Sequence, residues 1–393
     1  MQWVWWFILA AGCSEWMVTL TNRVHGLRVR ERGLKHLRHL LELGVLIVPW
    51  SVFLGLLVHS RELTTAILPE GEVRTSWLML NFTGLRGWIT GFGVTGFLGL
   101  LFSSYRFHFC RVPPQQVLHH TTVVDVAEKL GRRPIAPGPY HWMTRFPWNE
   151  IHTVELAEKH FHLRGLPREW SGLSIVHLSD VHFIGTVERS YFETVCELAA
   201  EMQPDLFVFT GDLLDDPQLS DWLPTTLGRL KAPLGCWYVL GNHDWNLDLP
   251  PIREAMRRVG WIDVAGRTHS VVYRGNELLI GGTERPWMGA HPDFDEVASS
   301  AFRLLLSHTP DNLAWARRRR VDLMLAGHNH GGQVVLPGIG PVYSPSLHGV
   351  RFSGGVYDKS PTLLHVSRGL SGRYPLRWHC LPEVTKIVLH PQA

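Results

Sequence analysis

Five short motifs in the second half of this chain carry side chains able to bind cations: Asp180-Val181-His182, Gly211-Asp212, Gly241-Asn242-His243-Asp244, His308, and Gly327-His328-Asn329-His330. Together they supply carboxylate and amide oxygens and imidazole nitrogens, with no cysteine. Such a set suits two divalent cations gripping a phosphate ester. The ester resists attack because its anionic oxygens repel an incoming hydroxide. Two cations about 3.5–4 Å apart clamp those oxygens and lower the pKa of a bridging water toward neutrality. One carboxylate has to touch both ions.

Each motif follows a short apolar run that reads as a β-strand. Asp212 follows Leu206-Phe207-Val208-Phe209-Thr210, the near-continuous apolar pattern of a buried parallel strand, and is the natural bridge. Asp180 and His182 follow Ser174-Ile175-Val176-His177-Leu178; in extended chain, residues two apart share a side. His328 and His330 repeat that spacing after Asp322-Leu323-Met324-Leu325-Ala326. Asn242 offers a neutral carbonyl oxygen, and His308 follows Arg303-Leu304-Leu305-Leu306-Ser307. Imidazole with oxygen fits manganese, iron, zinc or magnesium and does not choose among them.

The ordering of these motifs resembles the calcineurin-like metallophosphoesterase family over about residues 148–390. The resemblance implies one metal held by Asp180, His182, Asp212 and His330, and a second held by Asp212, Asn242, His308 and His328. It makes His243 the residue that stabilises charge or protonates the leaving oxygen, with Asp244 orienting its ring. Further matches are Gly331-Gly332-Gln333, Leu336-Pro337-Gly338, Gly355-Val356-Tyr357, Ser367-Arg368-Gly369-Leu370, Pro375-Leu376-Arg377 and Pro382-Glu383. They are similar to the membrane-associated branch, which includes phosphodiesterases and UDP-2,3-diacylglucosamine pyrophosphatase-like enzymes. Asp215 and Asp216 depart from the usual pattern and read as capping or hydrogen-bonding groups rather than ligands.

Other polar features read blandly. His119-His120 and His160-Phe161-His162 stand outside the pattern, as solvated or packed histidines. Arg317-Arg318-Arg319-Arg320 closes a helix beginning near Asp311-Asn312, where cations oppose the C-terminal dipole. Gly281-Gly282 and Gly354-Gly355 read as turns.

At 393 residues, two or more units are expected. Only 19% of residues are charged, against roughly 25% in an average soluble domain. The deficit lies in the N-terminal third. Met1 to about Leu20, Leu40 to Val58 and Gly87 to Ser104 are apolar segments, the last two long enough for a bilayer core and the first marginal. The first loop carries Arg23, Arg28, Arg30, Arg32, Lys35 and Arg38, whereas Ser60 to Gly87 is charge-balanced. The positive-inside rule puts the first loop in the cytoplasm. Three crossings then leave the following domain on the cytoplasmic face; two crossings reverse the side. Net charge +3 is too slight to argue for nucleic acid. The five cysteines show no metal or redox spacing.

The expected organisation is a membrane region with two to three transmembrane helices (1–104), a Pro-rich connector (105–148), and a metallophosphoesterase domain (149–393). Strands and helices alternate first, and strand-rich sequence follows. This suggests an α/β fold of two packed sheets with helices outside; the resemblance makes it a calcineurin-like two-sheet sandwich. A membrane tether favours a phosphodiester or pyrophosphate of a lipid or nucleotide-lipid as substrate, with Phe183, Trp245, Trp287 and Met288 candidates to line an acyl path. The alternatives are a broad phosphodiesterase or phosphatase on soluble nucleotides, and a phosphate-binding membrane scaffold with little catalysis.

Overall fold

The computed structural model describes residues 2–27, 36–37, 39–45, 47–51, 54, 85–109, 112–294 and 301–392. They form two compact units. Helices α1 (Gln2–His25) and α2 (Leu85–Phe109) belong to one, together with Pro337–Arg351; the other comprises Arg111–Leu336 and Phe352–Ala393, with Leu27–Val29.

In the helical unit, Val4–His25 and Gly87–Phe109 are long and apolar enough to cross a bilayer. They meet through glycine. A Cβ on Gly12 would lie 1.7 Å from Gly93 O, and one on Gly96 would lie 2.0 Å from Gly12 O. Small residues at such a crossing let the backbones approach, as membrane helices require. Leu9 lies at Gly93 and Glu15 at Gly99, so α1 and α2 run in the same direction. At the C-terminal end of α1, buried Asn22 donates from Nδ2 to Val342 O (3.0 Å) and accepts from Ser344 N–H (3.0 Å). Ser104, near the end of α2, donates to Gly338 O (2.6 Å). The described residues between 36 and 54 are helical. The remainder of the second apolar segment, and the charge-balanced loop after it up to residue 84, lie outside the described residues.

The second unit contains, in chain order, β1 (Gln116–Asp125), α3 (Val126–Leu130), β2 (Thr153–Leu163), β3 (Leu173–Leu178), α4 (Arg189–Glu201), β4 (Leu206–Thr210), β5 (Cys236–Val239), α5 (Leu249–Arg258), β6 (Trp261–Asp263), β7 (Thr268–Tyr273), β8 (Asn276–Thr283), β9 (Phe302–Ser307), α6 (Leu313–Arg318), β10 (Leu323–Ala326), β11 (Gly355–Lys359), β12 (Thr362–Val366) and β13 (Glu383–Pro391). One sheet has the order β1-β2-β13-β3-β4-β5-β6, the other β11-β12-β10-β9-β8-β7. The two pack face to face as an α/β sandwich. Ile175, Val208, Val239, Ile280, Leu304, Leu306, Leu323 and Leu325 fill the space between them. The opposite faces pack on helices: Val176, Phe207 and Phe209 meet Phe192, Val195 and Ala199 of α4, while Leu305 and Met324 meet Leu313 and Ala316 of α6. Burial on both faces explains why these strands read as continuous apolar runs rather than alternating ones.

Strands β3, β4, β5 and β6 are mutually parallel, as are β8, β9, β10 and β12. Their carboxyl ends therefore emerge together within each sheet. Residues 105–148 differ from the expected connector. Residues 105–109 complete α2, and β1 pairs antiparallel with β2 from Gln116↔Phe161 to Asp125↔Thr153 at the sheet edge. After β4 the chain forms two 3₁₀ turns (Pro217–Thr225 and Leu227–Arg229) rather than an α-helix, because Pro224 cannot donate within one. Gly355, read as a turn, begins edge strand β11.

Candidate metal centre

Every motif residue lies just past a strand's carboxyl end. Asp180 and His182 follow β3, Asp212 follows β4, Asn242 and His243 follow β5, His308 follows β9, and His328 and His330 follow β10. The structure brings all eight side chains to one place. Asp180, His182, Asp212 and His330 each present a ligand atom within 4.8 Å of the others, and so do Asp212, His308 and His328. Asn242 Oδ1 joins the latter set, 2.9 Å from His308 Nε2.

The convergence does not come from strand alternation. Asp180 (φ 54°), His182 (φ 44°), Asp212 (φ 56°), His328 (φ 73°) and His330 (φ 51°) all occupy the left-handed region. For non-glycine residues each costs on the order of 1–3 kcal/mol and persists only where surroundings impose it. Backbone bonds do so here: Asp180 N–H donates to Gly211 O (2.9 Å) and His182 N–H to Asp212 O (3.1 Å). The motif glycines serve close approach as well as turning. A Cβ on Gly241 would sit 2.1 Å from Asp212 Oδ1, and one on Gly327 would sit 2.4 Å from Asp180 Oδ2.

Hydrogen bonds fix which imidazole nitrogen faces inward. His308 Nδ1–H donates to Thr210 O (2.7 Å), which can only accept. Its Nε2 then points at Asn242 Oδ1 and, at 3.3 Å, Asp212 Oδ1. His182 Nδ1–H donates to Asp215 Oδ2 (2.7 Å), leaving Nε2 3.3 Å from Asp212 Oδ2 and 3.3 Å from His330 Nε2. Such partners hold imidazoles in the tautomer that ligates metal. The two oxygens of Asp212 thus face different histidine sets. Asp212 Oδ2 is buried and has no hydrogen-bond partner.

Charge within the pocket asks for a cation. Burial works to raise the Asp212 carboxyl, yet the imidazoles of His308, His243 and His182 hold it well below the ordinary range. Burial, with Asp212 alongside, pushes Asp180 up. Burial opposes a charge on His308, but Asp212 overrides it and lifts the imidazole to about 9. Buried carboxylates that draw protons onto their neighbours are stabilised equally by metal cations. The donor set, the orphaned oxygen and this field all fit divalent ions.

His243 is half-buried, and its backbone N–H donates to Asp212 Oδ1 (2.9 Å). The group on its ring is Asp215, whose Oδ1 lies 2.6 Å from His243 Nδ1. Asp244, expected in that role, instead turns inward and accepts from the N–H groups of Gly241 (2.8 Å), Leu213 (3.1 Å) and Leu214 (3.0 Å). It ties the β4 and β5 loops together. Asp216 caps the following 3₁₀ turn through Gln218 N–H.

Three positioning groups were not read from the sequence as such. Asp215 joins His182 to His243. Thr210 serves through its carbonyl, invisible to a side-chain motif. Arg377, fully buried, donates from Nη1 to His330 O (2.9 Å) and Arg368 O (2.8 Å); an arginine after Pro375-Leu376 was the available signal. The expected acyl path is not formed by its four residues. Phe183 and Met288 are buried in the core, and Trp245 packs against that core. The Trp287 ring instead backs the ligand rings, 5.5 Å from His308 and 4.9 Å from His328. His160 pairs with His390 (2.9 Å) and Glu158 (2.9 Å), away from the metal cluster.

Residues 173–332, from β3 to the Gly-His-Asn-His motif, match the family described as calcineurin-like phosphoesterase. The chain is 31% identical over 250 residues to the uncharacterized metallophosphoesterase YkuE of Bacillus subtilis, an alignment covering 61% of this chain and 87% of that protein. The chain belongs to the calcineurin-like phosphoesterase family. It is also 29% identical to phosphodiesterase YaeI of Escherichia coli, over 55% of this chain and 81% of that one. UDP-2,3-diacylglucosamine pyrophosphatase LpxG of Chlamydia muridarum is 23% identical over 62% of this chain and 87% of its own length. The protein is therefore a hydrolase of phosphate esters or anhydrides, in a family that works with a dinuclear divalent-metal centre.

Proposed function

We propose that Asp180, His182, Asp212 and His330 hold one divalent cation, that Asp212, Asn242, His308 and His328 hold the other, and that the reaction is hydrolysis of a phosphodiester or pyrophosphate in a lipid or nucleotide-lipid. One observation carries the two-ion reading: Asp212 Oδ1 lies 3.3 Å from His308 Nε2 while Oδ2 lies 3.3 Å from His182 Nε2. A single carboxylate addresses both halves of the cluster. Bound there, divalent ions neutralise phosphate oxygens and make hydroxide available near neutral pH. His243 supplies the proton for the leaving oxygen. Asp215 accepts from its Nδ1–H, which leaves Nε2 as the working atom and stabilises the imidazolium.

The lipid part of the reading rests on the two apolar helices and on the likeness to LpxG. Because α1 and α2 are parallel, two crossings by them need a third between, and the described helical residues from 40 to 54 lie in an apolar segment suited to it. Three crossings with a basic first loop support a catalytic unit on the cytoplasmic face. Protease added to intact cells should then spare that unit until lysis; cleavage from outside reverses the side. For substrate, the purified full chain loaded with manganese should hydrolyse a UDP-linked diacyl sugar faster than bis-p-nitrophenyl phosphate. A preference for the soluble diester rejects the lipid assignment and leaves the metal centre standing.

A further inference from the structure

Six aromatic side chains in the catalytic unit form a partly exposed ledge that neither the core nor the metal cluster uses. Trp142 packs on Phe146 (5.9 Å between ring centres), Phe146 stacks on Trp148 (5.7 Å), and Trp148 meets Trp378 (6.0 Å). Tyr140 packs edge-on against Tyr374 (4.6 Å). Trp142 and Trp148 are 58% and 59% exposed, and Tyr374 is 41% exposed. Large aromatics this exposed are costly to leave in water, so the ledge has to be explained.

The ledge is held firmly and at the rim of the metal site. Asn149 Nδ2 donates to Met143 O (3.1 Å) and Pro375 O (2.7 Å), and its Oδ1 accepts from Arg377 N–H (3.0 Å), which staples the two ledge segments together. Gln333, three residues after His330, accepts at its carbonyl from Trp378 N–H (3.0 Å) and donates from Nε2 to Tyr374 O (2.9 Å). Thr186, four residues after His182, donates to Pro139 O (2.6 Å). Both ligand segments thus run directly into the ledge.

We propose that this ledge docks on the headgroup–acyl boundary of a lipid bilayer and holds the metal centre against substrate lying in that bilayer. Tryptophan and tyrosine are the side chains that favour this boundary, with an apolar body and a polar N–H or O–H. Exposed Arg133 and Arg145 on the same segment suit anionic headgroups. The occupant is a bilayer rather than a soluble partner because the chain itself carries two helices able to cross one. The proposal rests on the lipid-substrate reading above and deepens it.

The test uses the full chain reconstituted in vesicles of phosphatidylglycerol and phosphatidylcholine. A thiol-reactive, polarity-sensitive fluorophore is attached at Trp148→Cys; the described native cysteines are all buried. Lipids brominated on their acyl chains should quench the probe by more than half, and a water-soluble quencher should not. Quenching only by the soluble agent overturns the proposal. A blue-shifted probe quenched by neither means that a protein surface covers the ledge, and also overturns it. In parallel, Trp142→Ala with Trp148→Ala should lower the ratio of vesicle-lipid hydrolysis to bis-p-nitrophenyl phosphate hydrolysis about tenfold. An unchanged ratio with wild-type activity on both substrates rejects the docking role. Bromolipid quenching without any lipid hydrolysis would reject the substrate assignment alone.

Discussion

Asp215→Asn removes a carboxylate that serves two histidines. In the native site its oxygens accept from His182 Nδ1–H (2.7 Å) and His243 Nδ1–H (2.6 Å). Hydrogen bonds to a charged partner contribute roughly 1.5–3 kcal/mol each. The amide retains a single acceptor oxygen and adds a donor, so at least one imidazole faces N–H with N–H or changes tautomer. A changed tautomer on His182 puts its proton on Nε2, the atom that faces Asp212 and His330. On His243 it removes the anion that supports the imidazolium. At about tenfold per 1.4 kcal/mol, losing one bond costs about 10–100-fold and losing both about 10²–10⁴-fold, the range expected when a proton-transfer residue is disabled. Initial rates with bis-p-nitrophenyl phosphate give kcat, and elemental analysis gives metal content. We expect kcat down by about 10²–10⁴ and metal affinity weakened about 10–100-fold, as for other partners of ligating imidazoles. Activity within threefold of wild type, with metal fully retained, would falsify the bridging role of Asp215.

Further outcomes follow from neighbouring contacts. Gly241→Ala places a Cβ 2.1 Å from Asp212 Oδ1 and 2.6 Å from Asp212 N; the shared carboxylate has to move about 1 Å, kcat should fall about 10²-fold or more, and the melting temperature should fall as well. Glu383, buried against Lys159 (3.2 Å) and Arg368 (2.6 Å), anchors the sandwich. Its Gln substitution strands buried Lys159 and leaves Arg368 with Glu155 alone, and should cost about 3–5 kcal/mol in urea unfolding. Burial alone would raise its carboxyl, but Lys159 and Arg368 hold it well below the usual value. A depressed acid stabilises the fold above its unfolded pKa, near 4.5, and loses that contribution as pH falls toward the folded value. The wild-type chain should therefore lose this increment below about pH 4.5, and Glu383→Gln should lack it. Dialysis against a chelator should abolish hydrolysis, and a divalent metal should restore it; activity that survives chelation contradicts the metal assignment.

The sequence makes the ligand types and their order legible because a metal site needs specific atoms, and short strands ending at them leave an apolar signature. Strands β3, β4, β9 and β10 were readable for that reason. The way the ligands converge was not readable. Asp-x-His spacing suggests strand alternation, whereas Asp180 and His182 both adopt left-handed conformations beyond the strand. The exchange of Asp244 for Asp215 beside His243 has a similar origin. Adjacency in sequence favours Asp244, but its side chain turns inward to satisfy three backbone N–H groups, and a residue 28 positions earlier reaches the ring. Strand β1 was hidden by its exposure: nearly every residue of Gln116–Asp125 faces solvent, so no apolar alternation marks it. The ledge leaves no local signature because its two halves, 140–148 and 374–378, are over 200 residues apart and meet only in the fold, through Asn149 and the Tyr140–Tyr374 and Trp148–Trp378 contacts.

Manganese coupling reports most directly on Asp212 as a shared ligand. The apo full chain is titrated with Mn²⁺ and followed by electron paramagnetic resonance beside Asp212→Asn. The wild type should take up two ions per chain whose spins are exchange-coupled through a common carboxylate, while the variant should hold at most one, with the spectrum of an isolated ion. Two independent, uncoupled ions in the wild type, or full coupling retained in the variant, would contradict a centre built around that single side chain.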